Sequence, residues 1–370
     1  MRLPTRVLAF LAAGPLLAPA LVAQATVTDS TRIKLPGAAA FDGFGRQVLV
    51  DGDELILTAN SADTSGAAYS YRRVGGAWTR QQEFRGSDTG PGDFFGFAAA
   101  RAGELLVVGA DQHSLPVPRA GAAYVFERQG GSWVEVQKLS APSPVAFDGF
   151  GWSVAIAGDL LVVGATGDDQ AGTSAGAAYV FRRAGASWGF EQKLLASTGD
   201  ATDEFGWAVA TDGEAVVVSA VTDEQGLDKT GAAFVFEHNG IAWSETQRIV
   251  PGDAAHGDRF GWDVAFEPGV LLVSATDHDS APVNGGAVYV YGRSGAGWSL
   301  DQKLVPSKVG DNHAFGWSMA LDGNQLAVGA ATFGAIYTLH HNGAAWVEVL
   351  QCDTPGGLGA SCDIDGKTRV

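Results

Sequence analysis

The chain has 370 residues, 46% of them hydrophobic and ten of them Trp, which excludes a disordered protein and leaves room for a large core. It carries 41 Asp and Glu against 24 Lys and Arg, a net charge of −17. Such a surface repels phosphate backbones, so no nucleic acid is expected as a partner, and acidity also keeps an exported protein in solution.

Residues 1–25 read as a secretory signal. Arg2 and Arg6 precede an apolar run from Val7 to Val22, and Ala23-Gln24-Ala25 fits the small-x-small cleavage rule. Pro15 and Pro19 interrupt the run, which argues against a membrane span, and no other apolar stretch is long enough for one. The expected location is therefore secreted, periplasmic or at the cell surface. Removing the signal leaves 22 basic against 41 acidic residues, a net charge of −19.

Residues 26–351 are organised by a repeat. A Phe-Gly pair recurs at Phe44, Phe95, Phe150, Phe205, Phe260 and Phe315, a first step of 51 residues and then steps of 55. Each unit predicts four short strands, A to D. Strand A alternates large and small residues, as in Trp152, Val154 and Ile156, which is the pattern of a half-buried strand. The turn into strand B uses pairs such as Gly158-Asp159 or Asp322-Gly323, which tolerate a tight hairpin. Strand B, for example Leu105 to Val108, is continuously apolar and predicts burial on both faces. Strand C opens Gly-Ala-Ala-Tyr at Gly66, Gly121 and Gly176, and strand D opens with a Trp twelve residues later in every unit.

Six such units and no helical periodicity predict an all-β fold: a β-propeller of six four-stranded antiparallel blades, seven only if a further blade escapes recognition. Arg32-Ile33-Lys34-Leu35 matches the Gln-Lys-Leu endings of strand D, so an N-terminal strand is expected to close the ring.

With this topology the B-to-C loops and the D-to-A connections share one face, which is rich in carboxylates. Asp168, Asp169, Asp223, Asp277 and Asp279 in the B-to-C loops are the candidate ligand-binding residues. Asp93, Asp148, Asp203 and Asp258 each stand two residues before a Phe-Gly pair. Such carboxylates cap turns, and a ring of them could also offer oxygens to calcium. The periodic tryptophans are expected to fill gaps between blades, so an aromatic that binds ligand should be one that breaks the repeat.

No catalytic residue is assigned. His113, His256, His278 and His313 are scattered over different loops, and the Gly-x-Ser-x-Gly at Gly185 to Gly189 lies in a C-to-D hairpin, not at a nucleophile elbow. Gathering of His113, His256 and loop carboxylates would favour an enzyme, and an even acidic ring a binding or structural role. Cys352 and Cys362, in the tail 352–370, are candidates for a disulfide.

Phe-Gly at the head of each unit, followed by strands ending in Val108-Gly109-Ala110, Val163-Gly164-Ala165 or Val328-Gly329-Ala330, resembles the FG-GAP repeat of integrin α-subunit propellers and bacterial secreted proteins. The family's Pro after Gly-Ala is missing, and its calcium loop between the first two strands has shrunk to two-residue turns, so any calcium would use the other face. The resemblance implies an exported, non-catalytic adhesion or ligand-binding module, a monomer whose partner is an extracellular protein or carbohydrate. The alternatives are an extracellular hydrolase or lyase and a purely structural surface protein. The shorter loop of the first unit and the nearly absent B-to-C loop of the sixth, at Ala331 to Phe333, are expected to leave a gap on that face where ligand enters.

Overall fold

The computed structural model describes residues 33, 43–114, 117–224, 229–279, 283–295, 297–308, 312–330, 334–353, 362–365 and 368–369. Blade 1 contains β1 (Phe44–Asp51), β2 (Glu54–Ala59), β3 (Ala67–Val74) and β4 (Ala77–Phe84), and blade 2 contains β5 (Ala99–Ala102), β6 (Leu105–Ala110), β7 (Ala122–Gln129) and β8 (Ser132–Leu139). Blade 3 follows with β9 (Ser153–Ala157), β10 (Leu160–Ala165), β11 (Ala177–Ala184) and β12 (Ser187–Leu194), and blade 4 with β13 (Phe205–Thr211), β14 (Ala215–Ala220), β15 (Ala232–His238) and β16 (Trp243–Ile249). Blade 5 is β17 (Phe260–Glu267), β18 (Val270–Ala275), β19 (Ala287–Ser294) and β20 (Gly297–Leu304); blade 6 is β21 (Phe315–Asp322), β22 (Gln325–Ala330), β23 (Ala335–His341) and β24 (Trp346–Asp353). Every blade is an antiparallel meander in sequence order, and a short hairpin of β25 (Ile364–Asp365) and β26 (Thr368–Arg369) follows. The six-bladed all-β propeller is thus the fold that the spacing predicts.

The core lies between blades. Strand B is buried along its whole length in blades 2, 3 and 4. Blade 1 supplies Ile56 and Phe84, and blade 2 Phe95, Leu106, Tyr124 and Trp133, to one shared cluster. Each such side chain withdrawn from water contributes about 1.5–3 kcal/mol, so a blade depends on its neighbours for most of its stability. The Phe of each Phe-Gly pair stands edge-on to an aromatic of strand C in its own blade, as Phe150 does to Tyr179 at 5.3 Å. It also bridges backwards, pairing in parallel with the Gly that opens the previous blade's strand C, as Gly121 with Phe150. Gly121 holds φ +85, and a Cβ there would meet the Phe150 carbonyl oxygen at 2.0 Å, so only glycine admits the contact.

A second device joins the outer strands. The Gln137 side-chain amide accepts the Trp188 N–H and donates to the Trp188 carbonyl, both at 2.7 Å, imitating a strand. Gln82 does the same to Trp133, Gln192 to Trp243, Gln247 to Trp298 and Gln302 to Trp346. Five seams are clasped in this way. At the sixth, between blades 6 and 1, the position of Gln302 is occupied by Leu350.

The tail closes that sixth seam from inside. β25 packs on β1, β21 and β22. The Val50 N–H donates to Asp363 Oδ2 at 2.6 Å, and the Ser318 hydroxyl contacts the Cys362 thiol at 3.3 Å. The expected N-terminal closing strand falls outside the described residues except for Ile33, which packs against the blade 1 cluster. The expected Cys352–Cys362 disulfide is corrected by the structure. Cys362 is a buried free thiol, packed with Ala320, Ala327 and Ile336 on the three inner strands, whereas Cys352 belongs to the outermost strand, β24.

Candidate functional site

The groups that most resemble catalytic chemistry lie under the loop face, and they repeat. In blade 2, His113 Nδ1 donates to Asp93 Oδ2 at 2.8 Å and its Nε2 accepts from Lys138 Nζ at 2.7 Å. Lys138 also donates to Asp88 at 2.6 Å, and Asp88 accepts the Tyr124 hydroxyl at 2.7 Å. Blade 5 builds the same node from His278, Asp258, Lys303, Asp253 and Tyr289. Burial pushes Asp88 up, but the hydrogen bonds from Lys138 and Tyr124 outweigh it and hold the carboxyl below its ordinary value. Both nitrogens of each imidazole are engaged, and His113 is 1% exposed, so neither ring can take a proton from a ligand while the node is closed. Two copies on different blades tie loops together; they do not converge on one reacting atom.

Blades 3 and 4 place a carboxylate where blades 2 and 5 have histidine. Asp168 accepts from Lys193 at 2.6 Å and from the Tyr179 hydroxyl at 2.7 Å, and Asp223 is paired with Arg248. Asp277 faces Arg259 at 3.3 Å. Asp169 and Asp279 cap their own loops by accepting the N–H of Ser174 and Asn284, at 2.8 and 2.7 Å. Of the five candidate ligand residues, Asp168 and Asp223 are buried in nodes, Asp277 is partly buried, and Asp169 and Asp279 are exposed. The expected entry beside Ala331 to Phe333 lies outside the described residues.

The four candidate calcium ligands act as turn caps. Asp93, Asp148, Asp203 and Asp258 each accept the N–H three residues upstream, at 2.7–2.8 Å. They are spread one to a blade and buried, and no group of three or more His, Cys, Asp or Glu among the described residues could hold a metal ion. The calcium ring is therefore not assembled from them. Burial pushes Asp148 and Asp203 up to about 6, with Asp168 and Asp223 respectively adding repulsion.

The channel along the propeller axis holds a cavity of about 310 Å³. Its loop-side mouth is ringed by the residue after each Phe-Gly: Arg46, Phe97, Trp152, Trp207, Trp262 and Trp317. The aromatic members stack tilted on one another with centroids 4.6–5.0 Å apart, and the Arg46 guanidinium lies 4.3 Å over Phe97. Trp207 Nε1 donates to the Trp262 carbonyl at 3.1 Å, locking the collar. The strand D tryptophans from Trp133 to Trp346 fill inter-blade gaps as expected, but these four Trp form a collar around the axis instead. Beneath it stands Asp263, where the other blades have Gln47, Ala98, Ser153, Ala208 and Ser318. It accepts the N–H of Met319 at 2.6 Å and of Val264 at 2.9 Å, and burial pushes it up to about 7 despite those bonds.

Two features went unread in the sequence: Asp263 and Phe147, an aromatic on the loop face that is 61% exposed. Comparing residues at a fixed offset from each Phe-Gly would have found Asp263, and would have placed Phe147 with Phe41 of blade 1.

The FG-GAP repeat pattern matches residues 78–126, 133–181, 188–236, 243–291 and 298–347. Each match starts at a strand D Trp and ends in the next blade, so the sequence unit straddles a seam. No curated protein matches the chain. Among solved structures it is similar to hydrazine synthase of Kuenenia stuttgartiensis, at 14% identity and TM-score 0.62, covering 90% of this chain and 94% of that one. It is also similar to a putative 6-phosphogluconolactonase of Bacteroides uniformis, at 11% and 0.58 over 84% and 85% of the two chains. The β-propeller domain of Cps50 (Swd1) from Myceliophteria thermophila gives 10% and 0.57 over 91% and 92%. At these identities the likeness concerns the propeller fold alone. Five matched repeats over most of a six-bladed ring settle the family: the chain belongs to the FG-GAP repeat proteins.

Proposed function

We propose that the protein is an exported, non-catalytic binding module that captures an extracellular protein or carbohydrate ligand on its loop face. The observation that carries this reading is the closed state of the Asp-His-Lys nodes. The side chains with catalytic chemistry are buried, hydrogen-bonded to one another and present in two copies, while Phe147, Arg119 and Asp169 are exposed on the loop face. The leader-like residues 1–25 and the acidic surface support export. The test is binding of the purified protein, with and without chelator, to immobilised glycans and extracellular proteins. Saturable binding that survives the chelator is expected. Absence of binding, or turnover of a bound substrate, would overturn the reading.

A further inference from the structure

In blades 2 to 5 the connection into strand A makes the same four-residue turn. The N–H of Asp93, Asp148, Asp203 and Asp258 donates to the carbonyl of Gly90, Val145, Asp200 and Ala255 at 3.2–3.4 Å. The third residue is left-handed in all four: Gly92 at φ +88, Phe147 at +73, Thr202 at +72 and Gly257 at +83. A turn with positive φ at this place asks for glycine, and a bulky side chain there is strained. The backbone is held there by the Phe147 N–H, which donates to the Pro118 carbonyl at 3.1 Å, but the side chain itself is not packed: Phe147 is 61% exposed and its ring partner is the exposed Arg119, 5.5 Å from the centroid. A large aromatic ring that gains nothing from burial, at a place where glycine would serve the turn, points to a use outside the chain.

We propose that Phe147 is the stacking platform of an oligosaccharide site, with Arg119 and Asp169 as its polar rim. The proposal rests on the binding-module reading and names the ligand. Val145, 54% exposed, widens the apolar surface beside the ring. Asp169 is an exposed carboxylate two residues after Gly167, whose backbone packs so closely on the Phe147 carbonyl that a Cβ would stand 2.0 Å from it. The site therefore offers a guanidinium against the ring and an exposed carboxylate on the adjoining loop, charges of opposite sign. A neutral polyhydroxyl chain accepts from the guanidinium and donates to the carboxylate, whereas a charged ligand attracted by one is repelled by the other. The polarised C–H face of a sugar ring lies favourably on the negative face of an aromatic ring. A stable protein interface needs about 800 Å² from each side, more than Val145, Phe147 and Pro118 present.

The test compares wild type, Phe147→Gly and Arg119→Gln on an array of neutral and charged oligosaccharides, followed by titration of the best glycan and a thermal melt of each protein. Wild type should bind neutral glycans. Phe147→Gly should lose at least tenfold in affinity while melting no lower than wild type, and Arg119→Gln should lose severalfold. Full binding by Phe147→Gly would overturn the platform and leave the binding-module reading standing. Binding only to proteins on a parallel array would overturn the sugar assignment alone, and no binding to either array would overturn both readings.

Discussion

At the seam between blades 2 and 3 the Gln137 amide clasps the Trp188 backbone from both sides, whereas at the seam between blades 6 and 1 the same position is Leu350 and the join is made from the channel side by Cys362 and Asp363. The first kind of seam is covalently continuous, because strand D of one blade runs directly into the next. The last must hold the two ends of the blade array together without that continuity. Trp78, which faces this seam, is only partly buried, while Trp133, Trp188, Trp243, Trp298 and Trp346 are buried. A repeat can copy a clasp five times, but closing a ring takes a segment used once.

Removing the tail should have the largest effect. A chain ending at Gly359 loses the charged hydrogen bond to Val50 and the burial of Cys362, together about 3 kcal/mol. For a ring of this size that lowers Tm by about 4 °C. Hydrogen exchange should rise in β1 and β21 and stay unchanged in β9 and β13; equal protection throughout would show that the tail does not hold the seam.

Opening a clasped seam should cost less. Gln137→Ala leaves the Trp188 N–H and carbonyl without their partner, a loss of about 2 kcal/mol read as a lower denaturation midpoint with an unchanged slope. A loss below about 0.5 kcal/mol would mean that water replaces the amide and that packing alone joins the outer strands.

Much of this was legible in the sequence, and the limit has a physical cause. The Phe-Gly spacing located every blade because each Phe occupies the same edge-on site, and the strand D Trp at constant offset marked the same buried gap. The glutamines of the Gln-Lys-Leu endings were visible as strand ends, but a two-point bond to the neighbouring blade requires knowing which strands face each other. Asp93, Asp148, Asp203 and Asp258 were read as turn caps or calcium ligands, and hydrogen bonding shows them as caps. The tail occurs once, so no periodicity could announce it. Asp263 was hidden for the opposite reason, since regularity draws attention away from a single departure, and Phe147 because Phe41 stands at the same offset in blade 1, so that it reads as part of the pattern.

A pH series isolates one carboxylate tie of the inner ring, Asp263, which joins blades 5 and 6 by accepting the Met319 N–H. Burial raises Asp263 from an ordinary 3.8 to about 7, so between those values the folded chain keeps a proton that the unfolded chain releases. Its contribution to stability is complete below pH 3.8 and is lost as pH rises through about 7. Asp111, Asp148 and Asp203, raised to about 6 by burial, act in the same direction at slightly lower pH. Tm should therefore fall between pH 5 and pH 8. Asp263→Ser, the residue blades 3 and 6 use there, should remove the part of the fall above pH 6. A variant with the wild-type profile would assign the slope to the other three.

The smallest effect is expected where the comparison is most direct. Leu350→Gln supplies blade 6 with the side chain that clasps every other seam, so it asks whether sequence or spacing leaves the sixth seam without one. Trp78 is only partly buried, so a new amide replaces hydrogen bonds that water can supply and gains little. The change in stability should stay below about 0.5 kcal/mol, within the range of an ordinary surface substitution. A rise of about 1 kcal/mol or more would show that the outer strands of blades 6 and 1 approach as closely as the rest, and that the tail seals a seam which one glutamine could have clasped.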